Sequence, residues 1–187
     1  TKAMAEDIIK DWAAVDPMRS AVLLRYFNPV GAHYSGEIGE SPLGIPNNLM
    51  PFIADVACEI RPLLSVFGDD FDTPDGTGIR DYIHVDDLAE GHLAAMDYLE
   101  NAVGVDVFNL GTGQGHSVLE MISAFENASK RSVPYRIVGR RSGDVDASFA
   151  DPGKAQQKLG WKARQTLDRM CADEWRWRSK YPNGFDQ

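Results

Sequence analysis

The side chains best suited to chemistry in this chain are two guanidinium groups. Arg80 sits in GTGIRDYIHVDDLA (76–89) and Arg141 in GRRSGDVDASFADP (139–152). A guanidinium keeps its charge at any working pH and presents paired donors that match phosphate oxygens, so the two together suit one small phosphorylated ligand. The same residues admit a structural reading. Arg80 has Asp75 and Asp81 close in sequence and Arg141 has Asp144, so each could be an ordinary ion pair. His84 reads as a structural histidine before it reads as a catalyst. Asn28 and Asn48 belong to a long glycine- and proline-rich segment, NPVGAHYSGEIGESPLGIPNNLMP (28–51). Their carboxamides offer donors and acceptors to a ligand at the carboxyl ends of strands, or else serve as caps and turns.

GTGQG (111–115) lies between an apolar run and a helix, an arrangement that can hold phosphate at a helix N-terminus. Its spacing is GxGxG, not GxGxxG, and no ribose-binding acid follows at the end of a second strand, so it reads as a tight strand-to-helix turn.

The elements that must position these groups follow from periodicity. KAMAEDIIKDWAAV (2–15) carries a helical apolar stripe at 4, 8, 9, 12 and 13. SAVLLRYF (20–27) is a continuous apolar run of strand length, of the kind found where both faces of a parallel sheet are covered. The segment that follows is too long for an idle loop in a compact domain, and Val30, Tyr34, Ile38, Leu43, Ile45, Leu49 and Met50 imply that it packs. A helix starts near Leu49 with Pro51 in its first turn. LSVFG (64–68) and IRDYIHV (79–85) read as extended, and Asp86 or Asp87 caps the next helix. VDVFNLG (105–111) is a buried strand, and Ser117 with Glu120 forms a capping box. YRIVG (135–139) is extended, Asp151-Pro152 opens a short helix that Gly160 ends, and a last helix covers about 166 to 180. The cluster of Trp161, Trp175 and Trp177 reads as core or helix packing and not as a platform for a sugar. Strands alternating with helices predict an α/β fold with some parallel sheet.

The 187 residues are 43% hydrophobic and 25% charged, ordinary for a soluble domain. A net charge of −9 argues against nucleic acid as the main partner. No run of apolar residues is long enough for a membrane span, and no metal-ligand spacing stands out. Cys58 and Cys171 have neither a CxxC spacing nor enough neighbours for a framework, which reads as two reduced thiols in a cytoplasmic protein. The chain opens inside an amphipathic pattern, as if it were part of something longer.

Several long stretches together resemble one family. LLRYFNPVGAHYSGEIGESPLGIPNNLMPFIADVA, GDDFDTPDGTGIRDYIHVDDLAEGHLAAM, VFNLGTGQGHSVLEM and RRSGDVDASFADPGKAQQKLGW are similar to the UDP-glucose 4-epimerases of the extended short-chain dehydrogenase/reductase superfamily. RDYIHVDDLA alone points only to the superfamily, whereas NPVGAHYSGEIGE with GIPNNLMP is specific. The resemblance implies the C-terminal part of such an enzyme. Residues 1–30 would end a Rossmann-like NAD-binding domain, and 31–187 would form mainly the smaller nucleotide-sugar-binding domain, with 84–111 returning to the Rossmann sheet.

The reaction implied is NAD-dependent oxidation and re-reduction at C4 of a UDP-hexose, interconverting UDP-galactose and UDP-glucose in a homodimer. Asn28, Asn48, Leu49, Arg80, Tyr82, Val118, Arg141 and Asp144 fall where the family contacts UDP or sugar. Tyr26 and Pro29 fall beside the nicotinamide. Lys2 matches the lysine of the family's YxxxK motif, where it would bond the nicotinamide ribose and depress the tyrosine pKa. At about 4 Å and an effective dielectric of about 20 that attraction is on the order of 4 kcal/mol, roughly three pK units. The tyrosine and the glycine-rich NAD site are not among these residues, so the chain alone is expected neither to hold NAD tightly nor to epimerise. Ser148 stands where the family has either a bulky tyrosine or a small residue, which implies room for a 2-acetamido group. Other readings are a dehydratase or decarboxylase of the same superfamily, or a UDP-sugar-binding module without chemistry.

Overall fold

The computed structural model describes residues 1–42 and 44–185. In chain order the elements are α1 (Lys2–Ala14), β1 (Ser20–Tyr26), β2 (Asn28–Val30), α2 (Leu49–Ala57), β3 (Leu64–Phe67), β4 (Ile79–His84), α3 (Val85–Leu99), β5 (Gly104–Leu110), β6 (Gly115–Ser117), α4 (Val118–Ser129), β7 (Tyr135–Val138), β8 (Ala147–Ser148), α5 (Gly153–Leu159) and α6 (Leu167–Lys180). The α/β expectation holds, with parallel pairs β1–β5, β2–β4 and β3–β7. β4 organises the site. Its C-terminal half pairs with β2, while its N-terminal half pairs antiparallel with β6 and parallel with β8.

Two apolar cores result among the described residues. One joins α2, α4, α6 and β3 through Met50, Ile53, Val66, Met121, Phe125 and Met170. The other joins β5, α5 and the end of β4 through Ile83, Phe108, Leu110, Ala155 and Trp161.

Local chemistry explains the element ends. Ser117 and Glu120 form the reciprocal capping box on α4. Gly160 ends α5 at φ +66°, a conformation that glycine adopts without a Cβ penalty. α3 differs from expectation: neither Asp86 nor Asp87 caps it. His84 does, its Nδ1 accepting from Asp86 N at 3.0 Å, because the buried ring already lies at the end of β4. Asp87 is also buried and instead accepts from the backbone N–H groups of Arg164 and Gln165.

Two further expectations change. In β1 only Leu23 is buried, because this strand pairs with β5 on one edge alone among the described residues and α1 keeps most of its surface open. The tryptophans do pack as expected, but in separate places: Trp161 belongs to the second core, Trp175 meets Phe125 edge-on at 6.2 Å, and the Trp177 ring lies tilted against Tyr181 at 4.5 Å. Of the apolar residues in the long loop, Val30 and Met50 are buried, Leu49 is half-buried, and Tyr34, Ile38 and Ile45 are exposed. Leu43 lies outside the described residues. The loop is nevertheless fixed, through backbone and polar contacts to α6. Arg176 donates to the Tyr34 carbonyl at 2.8 Å, Trp177 Nε1 donates to the Glu40 carbonyl at 3.2 Å, and Tyr181 donates to Glu37 at 2.9 Å. Among the described residues no helix is long and apolar enough to cross a membrane.

Candidate functional site

A cleft of about 370 Å³ opens where β2, β3, β4 and the start of α2 meet. Asn28 and Pro29 reach it from β2, Arg80 and Tyr82 from β4, and Asn48 and Leu49 from the first turn of α2. Val118 at the start of α4 and the Arg141/Asp144 turn complete the ring. Sequence separation predicts none of this convergence; the parallel β2–β4 pairing, which sets Asn28 opposite Tyr82, brings it about.

The arginines divide between ion pair and ligand site. Arg80 does not take Asp75 or Asp81. Its guanidinium donates to the Ile79 and Val145 carbonyls at 2.8 and 2.9 Å and lies 3.7 Å from Asp144. Arg141 Nε donates to the same Asp144 at 3.1 Å, as one sequence reading has it, and its guanidinium carbon stands 4.7 Å from the Phe67 ring centre. One carboxylate thus holds two cations side by side, which leaves net positive charge on the cleft wall of an acidic chain.

Asp75 and Asp81 have other duties. Asp75 accepts from the Thr77 backbone and hydroxyl and from the Ser117 hydroxyl, tying the turn before β4 to the N-cap of α4. Asp81 is fully buried and accepts from Thr112 N, Thr112 Oγ1, Gly113 N and Ala150 N at 3.0, 2.6, 2.9 and 3.1 Å. The GTGQG segment therefore wraps a carboxylate of its own chain, and its last glycine already lies in β6, so it is not the bare strand-to-helix turn expected.

Tyr82 is 3% exposed, and burial pushes its pKa up to about 12 against the pull of Arg80. It is a neutral phenol at physiological pH and not a base. His84, fully buried, caps α3 and places Nε2 3.3 Å from Asp173 Oδ2, which keeps it out of the cleft.

Two features of the cleft escaped sequence reading. All four residues of β3, Leu64 to Phe67, line it. Side chains alternate along a strand, so consecutive lining residues mean that β3 turns its backbone edge to the cleft, with N–H and C=O groups available to a planar ligand. Arg61 also lines the cleft, its Nε donating to buried Asp55 at 2.8 Å and its guanidinium carbon 4.8 Å from the Phe52 ring centre. Its nearest sequence signal is only a charged residue before a strand.

The structure does not bring Lys2, Tyr26 or Ser148 into the cleft lining. Lys2 is exposed at the start of α1, and Tyr26, 48% exposed, ends β1 two residues before Asn28. Ser148 is half-buried on β8, in register with Arg80.

With this geometry in hand, known proteins give context. The family model described as GDP-mannose 4,6 dehydratase matches residues 1–174. The chain is 57% identical over 185 residues to the UDP-glucose 4-epimerase of Bacillus subtilis, covering 99% of this chain and 55% of that protein. It is 56% identical to the human UDP-glucose 4-epimerase, covering 99% of this chain and 53% of that one. The crystal structure of the Bifidobacterium longum UDP-glucose 4-epimerase in complex with NAD+ and UDP superposes with a TM-score of 0.95 at 54% identity, over 98% of this chain and 55% of that chain. The chain therefore spans about half the length of the curated relatives it matches.

Proposed function

The chain belongs to the GDP-mannose 4,6 dehydratase family, and from that premise we propose that it supplies the nucleotide-sugar cleft of a UDP-glucose 4-epimerase. The observation that carries the proposal is the convergence of Asn28, Asn48, Arg80 and Arg141 in one cleft. Arg80 and Arg141 would neutralise the diphosphate, with Asp144 holding both in register. The β3 edge suits the uracil, whose donor and acceptors match an open strand edge. Asn28 and Asn48, with Leu49, Tyr82 and Val118, would enclose the diphosphate and the sugar. Gripping the remote nucleotide while leaving the sugar room to turn keeps C4 near its reaction partner.

The reaction itself belongs to the whole protein. Lys2, Tyr26 and Pro29 would hold NAD there, and the group would supply a reversible hydride acceptor for C4. The residues here fit that role at one edge: Pro29 lines the cleft and Tyr26 ends the neighbouring strand, open to a planar group. Lys2 would hold the nicotinamide ribose and favour the ionised form of a tyrosine base. Residues 1–30, with 84–111, would complete a Rossmann-like sheet, since β1 and β5 already pair in parallel. The exposed Met4, Ile8 and Trp12 on α1 support a homodimer, and the free thiols of Cys58 and Cys171 suit the cytoplasm. Ser148 beside Arg80 leaves room for UDP-N-acetylglucosamine as a second substrate. Tyrosine at 148 should then abolish use of that sugar by the whole enzyme and spare UDP-glucose; equal activity of wild type and Ser148→Tyr on the acetylated sugar removes this part.

The test of the cleft is calorimetric titration of the chain with UDP-glucose and UDP. Saturable one-site binding that is lost in Arg80→Met supports the proposal, and heats no larger than dilution overturn it.

A further inference from the structure

A third guanidinium lines the cleft, and its donors are not used up. Arg61 borders the cleft together with Leu63 and the whole of β3. Its Nε donates to Asp55 at 2.8 Å, and its guanidinium carbon stands 4.8 Å from the ring centre of Phe52, another lining residue. Asp55 is buried on α2 and is also paired with Arg178 of α6, so one carboxylate meets two guanidinium groups and one positive charge is left over. The Arg61 side chain keeps 35% of its surface open, and neither of its Nη groups has a hydrogen-bond partner among the described residues.

Its place beside β3 decides which part of a nucleotide it meets. Phe67, the last residue of β3, has the Arg141 guanidinium carbon 4.7 Å from its ring centre, so the diphosphate belongs at the C-terminal end of this strand. Leu64 begins the strand, three steps or about 10 Å back. Arg61 belongs to the approach to that N-terminal end. A nucleotide with its phosphates on Arg80 and Arg141, lying along the β3 edge, therefore points its base toward Arg61. Uracil presents a carbonyl, the N3–H donor and a second carbonyl in a row. One C=O and N–H pair of a strand edge satisfies N3–H and one carbonyl, and the other carbonyl needs a donor from elsewhere.

Resting on the nucleotide-sugar reading above, we propose that Arg61 is a specificity-determining residue for the base, donating from its Nη groups to the uracil carbonyl that the β3 edge leaves unpaired.

The anchoring of Arg61 suits this task. With Nε fixed on Asp55 and the fork lying against Phe52, the guanidinium is placed before the ligand arrives, which lowers the entropy lost on binding. Arg178 keeps Asp55 paired, so replacing Arg61 does not strand a buried charge. A base offering an amino group in place of that carbonyl would set donor against donor.

The test is a cycle between protein and ligand: calorimetry of the chain with UDP, 2-thio-UDP and 4-thio-UDP, in which sulfur replaces one uracil carbonyl oxygen and accepts hydrogen bonds poorly. Wild type is expected to bind both analogues several-fold more weakly than UDP. Arg61→Met is expected to bind UDP about tenfold less tightly than wild type. In that variant one analogue should bind as well as UDP, while the other keeps its wild-type penalty. Arg61→Lys, which retains a cation for Asp55 and lacks the Nη donors, should behave the same way and guards against loss of the fold. A residue that only packs on Phe52 would weaken all three ligands by one factor. Analogue-to-UDP ratios unchanged in both variants, or UDP bound by them as by wild type, overturn the inference while leaving the cleft intact. Absence of binding of UDP and UDP-glucose by wild type removes the nucleotide-sugar reading and this inference with it.

Discussion

Arg80 lies 3.7 Å from Asp144, and the same carboxylate accepts from Arg141 at 3.1 Å, so two cations share one anion at the cleft wall. They do not share it equally. The Arg80 side chain is 23% exposed and bound to two carbonyls, while that of Arg141 is 61% exposed. A fixed, partly desolvated donor loses less entropy and less screening when it meets phosphate. Arg80→Met should therefore weaken UDP-glucose binding by roughly 10- to 100-fold, and Arg141→Met by less, with a smaller effect still at high salt. Titrations of both variants at low and high salt check the order.

Asp81 gathers Thr112, Gly113 and Ala150 around one buried carboxylate. Asp81→Ala leaves four donors without their acceptor and should cost about 3 kcal/mol or more of unfolding free energy. Asp81→Asn retains one acceptor oxygen and turns an amine toward donors, so it should lie between wild type and alanine. Urea unfolding followed by tryptophan fluorescence reads both.

The sequence carried the helices, because capping signals and apolar periodicity are local: Ser117 with Glu120, Pro51 near a helix start and Gly160 at a helix end are where their types require. The short strands were less visible. β2 contains Pro29, β6 is part of a glycine-rich stretch, and β8 has two residues, so their pairing is imposed by β4 and leaves little local pattern. The cleft was legible at Asn28, Asn48, Arg80 and Arg141 chiefly through the family resemblance, because guanidinium groups serve ion pairs and carboxamides serve caps and turns as readily as they serve a ligand. Arg61 and Glu174 were not. One is marked by its buried partner Asp55 and the other by enclosure under a distant loop, and both properties exist only once α2 and α6 have packed.

Glu174 also predicts a stability profile. Its carboxyl is raised from 4.5 to about 7 by burial, so the folded state binds this proton more tightly than the unfolded chain. The stabilisation it gives is fully present below about pH 4.5 and is lost as pH rises through 7, a total on the order of 3 kcal/mol. Glu174→Gln cannot ionise and should lack this loss. The difference in unfolding free energy, variant minus wild type, should grow from pH 4.5 to 7 and then level off. A difference that stays constant across that range would show that Glu174 titrates normally.

Gly39 tests whether the loop on α6 serves the cleft. A Cβ there would stand 2.3 Å from the Trp177 ring, and Trp177 is fully buried, so the indole has nowhere to go and the loop backbone must move. Gly39→Ala should cost about 1–3 kcal/mol of stability, as overpacking does. Because the next residue, Glu40, is held by Trp177 through its carbonyl and the same loop runs on to Asn48 and Leu49 in the cleft, the change should weaken UDP-glucose binding several-fold at a temperature where the variant remains folded. Gly139→Ala is the control, since nothing stands within 4 Å of a Cβ at that position and its backbone needs no positive φ. If Gly39→Ala unfolds more easily yet binds UDP-glucose like wild type at low temperature, the loop's attachment to α6 is a matter of stability alone.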